Sequence, residues 1–219
     1  MTTAVRPDGS FPSPWASGAT TAGGLPAGLL EAPVQDVARA LLGVRLVSSV
    51  GGRRVSGVIV ETEAYGGPDD PASHAATRTG RTARNAVMYG PAGIAYVYRI
   101  YGAHWCVNVV TGPEGQAEAV LIRGLEPLQG LDVMAGRRYG RAPLAAGPGR
   151  LCDALGITGD LNGHDLAREP LRLEAGWPIP DRLVGRSGRI GVRAAGDWPH
   201  RFYVRGSSGV TPGSASACT

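Results

Sequence analysis

The stretch GIAYVYRIYGAHWCVNVVTG, at residues 93–112, constrains the fold more than any other part of the sequence. Two runs of β-branched and aromatic residues flank a short turn at Tyr101-Gly102-Ala103, and such runs favour strands. A turn this short joins antiparallel strands, because parallel strands need a long crossover connection. The pattern therefore predicts a β-hairpin with Tyr101 at its tip.

Other segments predict the rest of an α+β domain. VRLVSSV and SGVIVETEAY flank Gly51-Gly52 and are typical of a second hairpin, while AEAVLIRGLEP, LRLE, RIGV and RFYV predict further strands. APVQDVARALLG has apolar residues at helical spacing, and helices are also predicted at residues 82–88, 127–138 and 149–155. The expected fold is a single mixed domain with a curved, largely antiparallel β-sheet, flanking helices and a protruding β-hairpin.

Both ends of the chain differ from this central part in composition. Residues 1–26 are rich in Gly, Ala, Ser, Thr and Pro, and residues 207–219 are similar, so both are expected to be disordered. The predicted domain spans residues 27–206. The chain has no run of about 20 apolar residues and no signal peptide, so we expect a cytoplasmic protein that does not enter a membrane.

Composition excludes some chemistry. All 22 basic residues are arginine, and a chain without lysine has no ε-amine to form a Schiff base. Its three cysteines are far apart and form no CxxC or Cys/His cluster, so neither a metal nor another cofactor is expected. The net charge of +4 is compatible with a polyanionic partner without establishing one.

An acidic pair ends the apolar run Val58 to Val60. Glu61 and Glu63 are two positions apart and so point to the same face of a strand. From the pattern alone, a solvated strand end is the preferred interpretation, although carboxylates after a β-branched run are unusual without a functional reason.

Aromatic and basic residues follow this pair. Tyr96 and Tyr98 share one strand face, which is usually a core pattern, whereas an exposed tyrosine at a hairpin tip suits a wedge that enters a base stack. The segment RTGRTARN has the composition of a loop that contacts phosphates, with a solvated loop equally compatible. Its candidate DNA-binding residues are Arg78, Arg81, Thr82 and Arg84.

These parts suit one task. An enzyme that acts on a base must flip it out of the duplex at a cost of a few kcal/mol, and aromatic walls recover roughly 1–3 kcal/mol per stacked base. Tyr65, His74 and Tyr98 could supply such walls. A carboxylate could then take a proton from water and stabilise a cationic sugar.

The ordered motifs VETEAY, HAA, RTARN, GIAYVYRIYG, CVNVV, LIRGLEPLQGL, GPGRLCDALGI, RIGV and RFYVRGS resemble the alkyladenine (3-methyladenine) DNA glycosylases of mammalian type, a family with many bacterial members. The resemblance covers about residues 29–206, and the order of several long motifs makes it specific. It implies a monofunctional enzyme, without metal, that excises alkylated purines of the 3-methyladenine and 7-methylguanine type from double-stranded DNA. We also expect a monomer, although the sequence does not fix the oligomeric state.

The resemblance also implies roles for individual residues. Glu63 is expected to be the general base, with Arg123 and the carbonyl of Ile190 holding the catalytic water. Tyr65 and His74 are expected on one face of the base and Tyr98 on the other. Further expected roles are contact of the base edge with backbone near Ala72 and His74, crowding of the purine 2-position by Asn108, and a wedge at Tyr101.

The chain departs from the mammalian pattern near the hairpin. Ala103 is small where mammalian members have a larger side chain, His104 replaces a phenol, and the loop after Leu131 is short and ends at Gly147. The sequence therefore does not predict which residues contact the opposite DNA strand. It also does not predict whether hypoxanthine is excised, because no side chain other than His74 stands out as a general acid. Two alternatives remain: a non-catalytic binder of damaged DNA, or an RNA-binding protein with the same stacking pocket.

Overall fold

A computed structural model describes residues 23–75 and 80–211. Within these two ranges the chain forms three α-helices and eight β-strands. The helices are α1 (Val34–Ala40), α2 (Leu131–Arg137) and α3 (Pro148–Leu155). The strands are β1 (Arg45–Ser48), β2 (Val55–Tyr65), β3 (Ala95–Ile100), β4 (His104–Thr111), β5 (Glu118–Gln129), β6 (Leu171–Glu174), β7 (Val184–Ser187) and β8 (Arg201–Val204).

The described strands form one antiparallel sheet, which confirms the predicted α+β class. The strand order is β3-β4-β5-β2-β1-β6, with β8 paired to β2 and β7 paired to β8. β1 and β2 form the second predicted hairpin, with Ser48 opposite Val55. No helix of the described residues is long and apolar enough to cross a membrane.

Strand β2 organises the sheet because both of its edges are paired. One edge pairs with β5, while the other pairs first with β1 and then, from Glu61 to Glu63, with β8. The register with β5 shifts on both sides of Glu61, and such irregularities bend a strand and increase its twist. The curvature brings β8 to the acidic end of β2.

The core fills the space between the sheet and the helices. Val37 and Leu41 of the α1 segment and Leu151 and Leu155 of α3 are fully buried. This burial follows from apolar residues that recur along one helix face. A second, smaller cluster, which includes Met88 and Tyr96, lies on the far side of β3 and β4.

The predicted β3–β4 hairpin is confirmed, with Ile100 opposite His104. Tyr101 has a φ of 52° and Gly102 a φ of 69°, so two consecutive residues adopt the left-handed conformation that a tight turn requires. The Tyr101 side chain is 84% exposed. The hairpin therefore presents an aromatic ring to solvent at its tip.

Three local predictions need correction. The helix expected at residues 127–138 begins only at Leu131, because β5 continues to Gln129 opposite β2. The segment 82–88 is no α-helix and instead leads into a 3-10 turn at Ala86–Tyr89. RIGV is not a strand: the preceding segment Val184–Ser187 pairs with β8, and the Ile190 amide bonds a side chain.

The domain extends beyond both predicted boundaries. Gly23 accepts a backbone hydrogen bond from Ala175, and Leu25 packs against the core. At the other end, Gly209 is buried and Thr211 donates hydrogen bonds to Glu61. Residues 207–211 are therefore part of the folded domain and not a flexible tail. The rest of the two terminal segments predicted to be disordered lies outside the described residues.

Candidate active site

A pocket of about 320 Å³ opens where β2 ends, between the β3–β4–β5 face of the sheet and the loop that follows β7. The side chains that line it are mostly aromatic and apolar, with a small number of polar groups, as is usual for small-molecule sites. Seven residues predicted from the sequence line it: Tyr65, Ala72, His74, Tyr98, Asn108, Arg123 and Ile190.

The Glu63 carboxylate lies directly behind this lining and is fully buried. Its Oε1 accepts the backbone N–H of Ile190 at 2.7 Å. Its Oε2 accepts the Tyr65 hydroxyl at 2.8 Å and Nη1 of Arg123 at 3.2 Å. Three of the predicted site residues are thus brought together on one carboxylate.

Burial raises the pKa of Glu63 above its ordinary value, although Arg123 and the Ile190 amide act in the opposite direction. A carboxylate with a raised pKa is a stronger base than an exposed one, so this group is suited to accept a proton. Burial and the neighbouring Glu63 charge also raise the pKa of Tyr65, so its phenol remains protonated and continues to donate.

Glu61 is fully buried, so the interpretation of the acidic pair as a solvated strand end is wrong. Its Oε1 accepts Nε of Arg201 at 2.7 Å and Nε of Arg123 at 3.2 Å. Its Oε2 accepts the backbone N–H and the hydroxyl of Thr211 at 2.7 and 2.6 Å. Burial favours the neutral acid, but Arg123, Thr211 and Arg201 together outweigh it and lower the pKa of Glu61.

The aromatic side of the pocket is a contiguous cluster. The His74 and Tyr98 rings meet edge to face with centroids 4.6 Å apart, and Tyr96 stacks on Tyr98 at 5.2 Å. Because His74 and Tyr98 touch each other, a base enters between them only if the two rings separate. The structure therefore shows the two rings in contact, and the sandwich expected from the sequence stays a prediction.

Tyr96 lies in the core, as its strand pattern predicts, and it also forms part of the pocket wall, which the pattern did not predict. It is 2% exposed, lines the pocket, and its hydroxyl lies 2.9 Å from Nδ1 of His74. In the sequence, only its position on the same strand face as Tyr98 indicates that Tyr96 could lie at the pocket. Burial and the Arg84 charge lower the pKa of His74, so the imidazole is neutral at pH 7.

Asn108 and the backbone near Ala72 have defined partners. Nδ2 of Asn108 donates to the Tyr96 carbonyl at 2.9 Å, which fixes the amide on the pocket wall. The Ala72 amide donates to Asp70, and the His74 carbonyl accepts from Asn85. These two backbone groups therefore already have partners among the residues that the structure describes.

Two polar groups that the sequence analysis missed hold the loops around the pocket. Asp70 makes a two-point contact with the buried Arg189 at 2.5 and 2.8 Å, which fixes the segment that carries Ile190. Asn85, 1% exposed, bonds Thr82, Gly80 and the His74 carbonyl. Asn85 ends the RTARN motif, but neither its bond to the His74 carbonyl nor the Asp70–Arg189 contact follows from sequence, because the tertiary fold sets both.

The predicted phosphate-binding loop lies beside this cluster. Arg81 is exposed and its guanidinium lies 5.6 Å from the Tyr89 ring centroid, while Arg84 lies 5.5 Å from that of Tyr98. The Thr82 amide and hydroxyl bond Asn85, so Thr82 has a structural partner within the loop. Arg78 lies outside the described residues.

A groove of about 700 Å³ continues from the pocket along the hairpin tip. It shares Arg123 and Ile190 with the pocket, and Tyr101 lies on its wall. Three further arginines line it: Arg138, Arg141 and Arg150. Arg138 is paired with Asp153 at 2.9 Å, whereas Arg141 and Arg150 are exposed on the surface. The groove thus combines the exposed tyrosine with positive charge.

Comparison with known proteins shows the family to which this chain belongs. The family model described as methylpurine-DNA glycosylase matches residues 28–208. Proteins named as candidate 3-methyladenine DNA glycosylases are similar over most of both chains. The one from Methanoculleus marisnigri is 50% identical, over 85% of this chain and 98% of its own. The one from Myxococcus xanthus is 49% identical, over 86% of this chain and 94% of its own. The one from Carboxydothermus hydrogenoformans is 45% identical, over 85% of this chain and 98% of its own. The chain therefore belongs to the methylpurine-DNA glycosylase family.

Proposed function

We propose that this enzyme excises alkylated purines, of the 3-methyladenine and 7-methylguanine type, from double-stranded DNA by hydrolysis of the N-glycosyl bond. The observation that carries the proposal is the buried Glu63 carboxylate behind an aromatic pocket, held by Arg123, Tyr65 and the Ile190 amide. A carboxylate of raised pKa beside a purine-sized pocket supplies the base that such a hydrolysis requires.

The proposed step is displacement by water at C1′ of the deoxyribose. As the oxygen–C1′ bond forms, Glu63 accepts a proton from the water. The C1′–N bond breaks and its electron pair leaves with the purine. A purine alkylated at N3 or N7 is cationic in DNA, so it leaves as a neutral base without prior protonation. The Glu63 charge also stabilises the positive charge that develops on the sugar.

The hydrogen bonds of Glu63 leave room for this water. A carboxylate has about four acceptor positions, and the described residues fill two on Oε2 and one on Oε1. The remaining acceptor position on Oε1 is proposed as the site of the water. The carbonyl of Ile190 and the Arg123 guanidinium are proposed to hold the water there.

Substrate selection follows from the pocket walls. Tyr65 and His74 are proposed to stack on one face of the base and Tyr98 on the other, after the rings separate. Asn108, which donates to the Tyr96 carbonyl on the pocket wall, is proposed to crowd the 2-amino group of guanine. Because neutral His74 is a poor acid at pH 7, alkylated purines are the preferred substrates over hypoxanthine.

The reaction is proposed to stop at an intact abasic site. Strand cleavage by bifunctional glycosylases proceeds through an imine with an amine nucleophile, and this chain has no lysine. The catalytic groups assembled here are a carboxylate, a guanidinium and a backbone amide, which suit activation of water.

We propose that DNA lies across the pocket mouth and along the groove. Tyr101 would fill the space that the flipped nucleotide leaves. Arg81, Thr82 and Arg84 would contact backbone on one side of the pocket, and Arg141 and Arg150 on the other. Phosphates attract such exposed arginines without regard to sequence.

The deciding experiment measures release of labelled bases from methylated duplex DNA by the purified chain, at a stated salt concentration. Release of methylated purines, with strands intact until alkali is added, supports the proposal. Binding to damaged duplex without release would instead show a damage sensor. Stronger competition by undamaged RNA than by alkylated duplex would show an RNA-binding protein. A covalent adduct trapped by borohydride would contradict hydrolysis without strand cleavage.

A further inference from the structure

Glu61 is a buried acid that the proposed reaction does not use. It lies on β2, two residues before Glu63, and the two carboxylates share one guanidinium. Arg123 donates from Nε to Glu61 and from Nη1 to Glu63, both at 3.2 Å. The orientation of the guanidinium is thus fixed by two acceptors rather than one.

The position of Glu61 is itself fixed from the opposite side. Arg201, 1% exposed, contacts Oε1 of Glu61 and also donates to the Ser187 hydroxyl at 3.0 Å. Thr211 donates two hydrogen bonds to Oε2. Together with Arg123, these donors fill the acceptor positions of the carboxylate and keep it ionised.

The groups around Glu63 show why it matters that Arg123 contacts both carboxylates. On β2, Tyr65 and Glu61 face it. Arg123 approaches from β5, Tyr98 from β3 and Cys106 from β4, with the Ile190 amide above. Burial raises the pKa of the Tyr98 phenol and raises that of the Cys106 thiol to about 11, so both are neutral at pH 7. Among the residues that the structure describes, Arg123 forms the only ion pair with Glu63.

If Arg123 contacted Glu63 alone, its charge would strongly favour the ionised Glu63 carboxylate, and Glu63 would then be a weak base. We propose that Glu61 is a positioning residue, which divides the charge of Arg123 between two carboxylates and thereby preserves the ability of Glu63 to accept a proton from water. The inference rests on the proposed role of Glu63 as general base.

The test is a pH titration of the Glu63 side chain in the folded protein without DNA. The ¹³C chemical shift of its carboxyl carbon reports the protonation state, and the loss of that signal in Glu63→Gln assigns it. In Glu61→Gln, Glu63 is the only remaining carboxylate on Arg123, so its pKa should fall by about one unit. In a plot of the single-turnover rate constant for base release against pH, the acidic limb, where the rate constant falls as Glu63 is protonated, should move to lower pH. The neutral-pH rate constant should fall by up to about tenfold, because the base is weaker.

Thr211→Val is the matched control, because it removes one hydrogen bond to Glu61 and keeps its charge. It should lower the Tm while leaving the Glu63 titration and the acidic limb at the parent values. An unchanged or higher Glu63 pKa in Glu61→Gln would overturn the inference and leave Glu61 a structural residue.

Glu61→Asp covers the case in which Glu61→Gln does not fold. It keeps the charge but withdraws the carboxylate by one methylene from Arg123 and Arg201. The Glu63 pKa and the acidic limb should therefore move to lower pH by less than is expected for loss of the charge, and a Glu63 pKa at or above the parent value would contradict the inference. Base release by the parent chain tests the proposed function separately, since the titration requires no activity.

Discussion

Ile190 donates its backbone N–H to Oε1 of Glu63 at 2.7 Å, although the two residues are 127 positions apart. The bond fixes the loop after β7 over the end of β2 and closes one side of the pocket. It also explains why RIGV is not a strand: the amide that a ladder would need is used by the carboxylate. The loop is held by the Arg189–Asp70 contact one residue earlier.

Glu63→Gln should abolish base release while DNA binding persists. The amide is nearly the same size but cannot accept a proton from water, and a positioned general base contributes typically about 10²–10⁴-fold to rate. Single-turnover release from methylated duplex measures the first effect, and binding to a duplex with an abasic-site analogue measures the second. Glu114→Gln, at an exposed position, is the control. Unchanged release in Glu63→Gln would remove Glu63 from the mechanism.

The rate of base release should decline as the pH falls through the pKa of Glu63. Because burial raises that pKa, the limb should lie above the value of about 4.3 for a free glutamate side chain. The pKa of Glu61, in contrast to that of Glu63, is lowered in the folded protein. Its contribution to stability is present above the unfolded-state pKa and is lost only as the pH falls through the lower folded value.

A pH–rate profile, with circular dichroism at each pH, separates this titration from unfolding. A limb at or below the ordinary glutamate pKa would show that the ionised Glu63 is not a base strengthened by burial.

Tyr101→Ala should weaken nucleotide flipping without destabilising the fold, because the side chain is 84% exposed. Flipping costs a few kcal/mol, and without the ring the vacated space is not filled. Fluorescence of 2-aminopurine beside the damaged base reports flipping directly. Tyr139→Ala is a closely matched control, since Tyr139 is 86% exposed and also has a φ of 52°. Equal flipping and equal release rates in the two variants would argue against a wedge.

Arg141→Ala and Arg150→Ala should each reduce the slope of log binding constant against log salt concentration by about 1. Both arginines are exposed and line the groove beside the hairpin tip. Arg182→Ala, exposed and outside both the pocket and the groove, should leave the slope unchanged. If the groove variants retained the parent slope, DNA would have to follow another path.

Local patterns were sufficient for much of the fold. The β3–β4 hairpin, the β1–β2 hairpin and the α1 helix follow from side-chain period and turn residues, which act between neighbours in sequence. Boundaries were less predictable where two elements compete for the same residues. The helix expected from residue 127 begins later because residues 127 and 129 pair with β2.

The site could be predicted only in part. Glu63, Tyr65 and Arg123 emerged from motifs resembling those of a known family, and the fold brings them together. The Asp70–Arg189 contact and the role of Thr211 could not be predicted, because their partners lie 119 and 150 positions away. The His74–Tyr98 contact also depends on how a loop meets a strand.

The sequence by itself determined the antiparallel sheet, the exposed tyrosine at a tight turn and the absence of a lysine nucleophile, because each depends on residue type and near neighbours. Only the tertiary structure decided that the acidic pair is buried and that its two members differ. Glu61 is surrounded by two arginines and Thr211, whereas Glu63 meets one shared arginine and the pocket. The ionisation of a carboxylate depends on the charges and solvent around it, and these come from β5, β8 and the 207–211 segment.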